Sequence, residues 1–255
     1  MLPSAAAMEN RVLKLDGVHN FRDYGGYAGA GRAKLKTGLL WRSAQHGEAS
    51  AADLAAIHAL GITTVVDLRG LSEREAKPCL RHPDFAAQVF AHPDETAGLA
   101  LHTEAADGVI SAAEARAAMV RLYEGIPFRA NLVPMLRCYF EVLGRAEGPS
   151  LIHCVAGKDR TGFAAALILH SLGVAPSAVM QDYLLTNQLY RPPQAVGGDA
   201  PAEVRDAIRR VQPDYLQAAL EVVDNDHGGM ARYLEDGLGL DAKKRSILAK
   251  LYLSS

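Results

Sequence analysis

The ten residues His153–Gly162, HCVAGKDRTG, bring a cysteine, a lysine, an aspartate and an arginine into one short stretch. Cys154 and Arg160 are separated by five residues, with Gly157 between them and Thr161 behind. The apolar PSLI precedes the cysteine, and the helix-like FAAALILHSLG follows. A strand, a glycine-containing turn and a helix start gather backbone N–H groups around a concavity, where those donors and the helix dipole together bind an anion. The same field favours a thiolate, and a guanidinium can grip two oxygens of a phosphate. These residue types therefore point to Cys154 as a nucleophile at the floor of an oxyanion cradle. Val155, Ala156, Gly157, Lys158 and Thr161 would line the cradle, and Arg160 would clamp the phosphate.

Three plainer readings compete. Cysteine is often a small core residue, mixed charges are usually a solvated loop, and a Gly-Lys pair suggests a nucleotide-binding loop. That loop needs a glycine five residues before the pair and Ser or Thr after it; Ile152 and Asp159 stand there instead. The other cysteines serve as controls for spacing. Six residues after Cys79 is Phe85 and six after Cys138 is Gly144, so only Cys154 has its arginine.

The elements that must position this loop can be read on both sides of it. SAADLAAIHALG (Ser50 to Gly61) has an N-cap serine, helical apolar spacing and a closing glycine. ITTVVDLRG reads as a buried strand, and AAQVFAHPD as a second strand that breaks at Pro93. SAAEARAAMVRLYEG and FRANLVPMLRCYFEVLGR predict helices, with Pro134 expected to kink the second. PSLIHC predicts a strand, RTGFAAALILHSLG a helix, and nearly everything from Ser177 onwards more helix. Strands alternating with helices and followed by a helical tail predict an α/β fold, with an open, mainly parallel sheet flanked by helices. One domain over residues 1–255 is expected.

Hydrophobic residues make up 49% of the 255-residue chain and charged ones 22%, as in globular proteins. A net charge of -2 leaves no cation excess for general nucleic-acid binding. Three cysteines are no disulfide framework, so a reducing compartment is expected. MLPSAAAMEN lacks a basic, apolar signal pattern, and no apolar run reaches membrane-spanning length. The expected location is cytoplasmic; export without a standard signal would leave no trace in the sequence.

HCVAGKDRTG is similar to the signature of the cysteine-dependent protein tyrosine phosphatase superfamily. NFRDYGGY, LLWRSAQ, VVDLRG, DYLLTN and GGMARYLEDGLGLD resemble, in that order, segments of the bacterial tyrosine/serine phosphatases. The resemblance implies a phosphatase-type fold, a phosphocysteine intermediate, and no cofactor or metal. It also implies that Thr161 hydrogen-bonds the sulfur, that His153 orders the loop, and that a mobile helical lid spans Glu95–Ile126. Arg22, Arg42 and Arg69 are expected to be buried partners of carboxylates rather than ligands.

The leaving group needs a proton. Asp67 is preferred for that role, since catalytic groups in open α/β sheets gather at strand ends, and the resemblance also places an aspartate near the phosphate. Asp94, in HPDETAG, is an alternative, and Asp159 could transfer a proton or tune its basic neighbours. The expected substrates are phosphotyrosine and phosphoserine/threonine. Phosphoinositides are the alternative, because Lys158 adds a second cation. A phosphate-binding module without catalysis is a third reading. Inorganic phosphate or another oxyanion should occupy the loop. Neither nucleic acid nor stable membrane insertion is expected.

Overall fold

The computed structural model describes residues 11–31, 33–97, 111–145, 147–193 and 199–254. The first half alternates short strands with helices: β1 (Arg22–Asp23), β2 (Lys34–Leu35), β3 (Leu40–Ser43), α1 (Ala51–His58), β4 (Thr64–Asp67), α2 (Leu71–Ala76) and β5 (Gln88–Ala91). Then come α3 (Ala112–Gly125), a 3-10 turn (Ile126–Phe128), α4 (Val133–Arg145), β6 (Ser150–His153) and α5 (Arg160–Ser171). The remainder is α6 (Pro176–Leu184), α7 (Thr186–Leu189), α8 (Ala202–Arg209), α9 (Pro213–His227), α10 (Met230–Arg232), a π-turn (Tyr233–Gly237), α11 (Ala242–Tyr252) and β7 (Leu253–Ser254).

Five strands form one sheet in the order β1-β3-β6-β4-β5. β1 runs antiparallel to β3, and the other three pairings are parallel. Alternation along the central strands splits the core between the two faces. Leu40, Val66 and Ile152 join the large cluster with α4 and α5, while Val65 and Leu151 pack with Val18 and Phe21 beside Leu54 and Ile57 of α1. Ten residues of α5, Arg160 to Leu169, are buried, which explains its run of alanines and branched apolar side chains.

The elements expected around the loop are present. Ser50 caps α1 in a reciprocal capping box with Asp53, and Gly173 takes φ +75° just beyond α5. Two readings need correction. Pro134 lies in the first turn of α4 instead of kinking a longer helix, because α4 begins at Val133. The tail is not helical to its end, since β7 pairs antiparallel with β2. Of the expected lid segment, residues 98–110 lie outside the described residues, and α3 forms most of the remainder. Among the described residues no helix is long and apolar enough to cross a membrane.

Candidate active site

β6 is the central strand, and its register places Ser43, His153 and Asp67 side by side at the carboxyl ends of β3, β6 and β4. The loop leaving β6 enters α5 at Arg160, with Asp159 at the N-cap. Cys154, Ala156, Gly157, Lys158, Arg160 and Thr161 are buried, and Val155 is partly so. Gly157 has φ +64°, and a Cβ there would lie 2.2 Å from the Ser43 carbonyl oxygen. Only glycine meets both conditions.

The loop carbonyls are held from outside. The Gln45 N–H donates to the Val155 oxygen at 3.0 Å. The Asn20 side-chain amide donates to the oxygens of Ala156 (3.3 Å) and Gly157 (2.8 Å), and Arg42 adds a bond to Gly157 at 3.0 Å. In a planar trans peptide the N–H of the next residue points the opposite way. The N–H groups of Ala156, Gly157 and Lys158 therefore point away from these anchors.

These anchors rest on Asp182 of α6, which accepts from Arg22 at 3.2 Å, Arg42 at 2.7 Å and Tyr27 at 3.3 Å. Arg22 also donates to Asn20 Oδ1, fixing that residue at φ +58°. Burial would raise the Asp182 pKa, but Arg22 and Arg42 outweigh it and hold the carboxyl below its usual range. Arg22 and Arg42 are thus the buried carboxylate partners that were expected, and DYLLTN supplies their acid.

Arg160 is seated by a carboxylate absent from the sequence reading. Glu73 of α2 accepts from Nη1 at 2.6 Å and from Nη2 at 2.7 Å, and Nη1 also reaches the Leu68 carbonyl and Thr96 Oγ1. Burial opposes the charge on Arg160, but Glu73 overrides it and raises the pKa. The only local signal for Glu73 was its place at the third position of a short helix after VVDLRG, which also lets it cap the Gly70 N–H at 2.8 Å.

Asp67 sits where the strand reading put it, with its carboxylate held by Arg69. Arg69 reaches it through Nε at 3.0 Å, Nη2 at 2.7 Å and its backbone N–H at 3.0 Å, and His153 Nδ1 lies 3.7 Å away. Burial favours the neutral form, but His153 and Arg69 prevail and bring the pKa to about 2. The physical reason is the arginine two residues along in VVDLRG, which folds back onto the carboxylate. Asp94 is exposed in a turn, where its N–H donates to His92 Nδ1.

Asp159 is on the loop itself. Its Oδ1 accepts from Tyr123 of α3 at 2.7 Å and from Lys158 at 2.9 Å, and Tyr183 of α6 donates to the Tyr123 oxygen at 2.7 Å. Neither tyrosine stood out in the sequence. His153 stacks on His46 with ring centroids 5.4 Å apart, and burial pushes its pKa to about 4 despite Asp67. Thr161 Oγ1 is buried with no protein partner among the described residues.

A family model described as the tyrosine phosphatase family matches residues 13–254. The chain belongs to that family. It is a phosphatase, a phosphoric monoester hydrolase, and the family works through a phosphocysteine. A provisionally named tyrosine-protein phosphatase of Cupriavidus necator is 34% identical over 94% of this phosphatase and 89% of its own length. The triple specificity protein phosphatase PtpB of Mycobacterium tuberculosis is 30% identical over 88% and 93%. The crystal structure of P. aeruginosa TpbA aligns with 76% of this phosphatase and 96% of its own chain, at 18% identity and a TM-score of 0.31.

Proposed function

We propose that this phosphatase hydrolyses phosphotyrosine in proteins with Cys154 as nucleophile and Asp159 as proton donor. The carrying observation is the loop itself: a buried cysteine, carbonyls anchored from outside, and an aspartate and an arginine each held by its own partner. The Cys154 thiolate attacks phosphorus; the P–S bond forms as the ester P–O bond breaks. Asp159 transfers its proton to the departing oxygen. A water then attacks phosphorus, its proton passes to the Asp159 carboxylate, and the P–S bond breaks to return the thiolate and release phosphate. Thr161, whose hydroxyl has no other protein partner among the described residues, hydrogen-bonds the leaving sulfur.

Arg160 gives the Nη1–Nη2 edge of its guanidinium to Glu73. The Nε–Nη2 edge retains two donors for two equatorial phosphate oxygens. Asp67 then serves as scaffold, holding Arg69, and through it Gln45 and Cys79, behind the loop.

A second reading keeps the steps and extends the substrates to phosphoinositides. It is favoured by Arg129, a second cation near enough to Arg160 to feel its charge, which donates from Nη1 to the Thr96 carbonyl at 3.2 Å. Lys158 contributes less, because Asp159 already holds it. The name of the M. tuberculosis relative fits a broad substrate range. We further infer one domain acting in the cytoplasm, which the three free thiols support.

The test is turnover of para-nitrophenyl phosphate in EDTA. Activity should persist in EDTA and vanish in Cys154→Ser; survival of activity in Cys154→Ser would overturn the mechanism. Arg129→Ala assayed on a phosphotyrosine peptide and on a phosphoinositide separates the substrate readings. Selective loss on the lipid supports the second reading, and equal loss removes it.

A further inference from the structure

The two oxygens of the Asp159 carboxyl group are in different situations. Oδ1 accepts from the Tyr123 hydroxyl at 2.7 Å and from Lys158 Nζ at 2.9 Å. Oδ2 takes no protein donor among the described residues, and 22% of the side chain is exposed. Tyr123, near the end of α3, and Tyr183 of α6 are both fully buried. The Tyr183 hydroxyl donates to the Tyr123 oxygen at 2.7 Å, and the two rings meet edge to face with centroids 6.2 Å apart. Tyr215 of α9 packs on the Tyr123 ring at 5.7 Å but spends its own hydroxyl on the Ala207 carbonyl. Gly162, at the end of the HCVAGKDRTG stretch, leaves room for Tyr183, since a Cβ there would lie 3.0 Å from its Cδ2.

An ionised carboxylate only accepts, so the order of the chain is fixed: Tyr183 donates to Tyr123, and Tyr123 to Asp159. Burial, and after it the Asp159 charge, holds both phenols well above their ordinary range, so both hydroxyls keep their protons. Neither hydroxyl bonds to Cys154 or Arg160 among the described residues.

We propose that Tyr123 and Tyr183 are positioning residues for proton transfer, fixing the Asp159 carboxyl group with Oδ1 held by the protein and Oδ2 left to carry the proton to the departing oxygen. This role rests on the reading of Asp159 as proton donor. As the proton leaves Oδ2, negative charge grows on the carboxyl group. The bonds to Oδ1 strengthen with it, because hydrogen bonds to an ionised acceptor are about twice as strong as neutral ones. The chain therefore stabilises the transition state more than the ground state. Its effect grows with the protonation that the leaving group needs. The same bonds then hold the carboxylate while it takes the proton of the attacking water. Lys158 acts from within the loop, whereas the tyrosines tie the proton donor to α3 and α6.

The test measures kcat and KM of the full chain and of Tyr123→Phe, Tyr183→Phe and Asp159→Asn, on phenyl phosphate and on para-nitrophenyl phosphate. Tyr123→Phe keeps the ring and its packing. It should lower kcat on phenyl phosphate about tenfold, with KM unchanged and a much smaller loss on para-nitrophenyl phosphate. Tyr183→Phe acts one bond further away and should give the same pattern at about threefold. Should Tyr123→Phe fail to fold, Tyr183→Phe still reads that pattern, because it leaves the Tyr123–Asp159 bond in place. Adding Tyr123→Phe to Asp159→Asn should cost little more, since no acid remains to be positioned. Equal losses on the two esters, or an undiminished tenfold loss in the Asp159→Asn background, would overturn the proposal and leave Asp159 as donor. Absence of leaving-group dependence in Asp159→Asn itself would remove the donor reading, and this role with it.

Discussion

Of the two carboxylates proposed for the proton, Asp159 lies on the candidate loop and Asp67 at the end of β4, and one substitution at each tells them apart. Asp159→Asn should lower kcat on phenyl phosphate by about 100-fold or more. The loss on para-nitrophenyl phosphate should be far smaller, because that leaving group needs little protonation. Asp67→Asn should instead leave the leaving-group dependence unchanged and lower Tm, since it strands the buried Arg69. The opposite pattern would return the proton to Asp67. Glu73→Gln should act through Arg160: the neutral amide holds the guanidinium less firmly, and KM should rise about tenfold with little change in Tm. At this scale the sequence pointed to Cys154 and Arg160 through their spacing, their neighbours and a family resemblance, and it ranked Asp67 ahead of Asp159 for the proton. Glu73, Tyr123 and Tyr183 were illegible because each comes from a distant segment and carries no motif, and only the fold sets them against the loop.

At the scale of elements, what matters is how strand ends and helix starts hold the loop. Gly157→Ala would drive a methyl group into the Ser43 carbonyl and require a left-handed φ of alanine. It should reduce turnover to the level of Cys154→Ser while far-UV circular dichroism stays native. The His46–His153 stack at the end of β6 makes stability depend on pH. Burial lowers both pKa values, that of His153 to about 4 from 6.5, so both rings are neutral in the fold. Below pH about 6.5 the unfolded chain binds protons that the native state refuses, so stability must fall with pH down to about 4. His153 alone accounts for about 3 kcal/mol of that loss. Thermal unfolding across this range should show Tm falling before most carboxylates titrate; a flat Tm between pH 6.5 and 4.5 would show that the rings are not buried neutral. The elements themselves were largely readable: Ser50 before α1, the β-branched run of β4 and Gly173 after α5 each announce a boundary through local chemistry. β1, β2 and β7 were not, because two-residue strands hold too little pattern and exist only through their pairing.

At the scale of the molecule, the last strand closes the chain onto its beginning. β7 pairs with β2, Lys36 donates its N–H to the Tyr252 carbonyl at 2.8 Å, and the Tyr252 hydroxyl reaches the Leu143 carbonyl at 3.0 Å. Removing residues 251–255 should therefore uncover Leu35 and cost about 3 kcal/mol or more. A Tm unchanged by that truncation would mean that the pairing contributes nothing. The open parallel sheet was foreseeable from the alternation of elements, and its central strand is the one that leads into HCVAGKDRTG. Strand order was not, because it depends on which residues pair across long separations.

The outward anchoring of the loop carbonyls has a thermodynamic consequence. Asn20, Arg42 and Gln45 come from the segments around β1 and β3, and Asp182 from α6, so the cradle exists only when those distant parts of the chain are assembled. A tetrahedral oxyanion such as vanadate or tungstate can then bind the native state and not the unfolded one. Mass action converts that difference into about 2.7 kcal/mol of added stability at one hundred times the dissociation constant, or about 5–10 °C in Tm for a chain of this size. Occupancy of the site thus becomes readable by melting alone, even in a Cys154→Ser protein that turns over nothing.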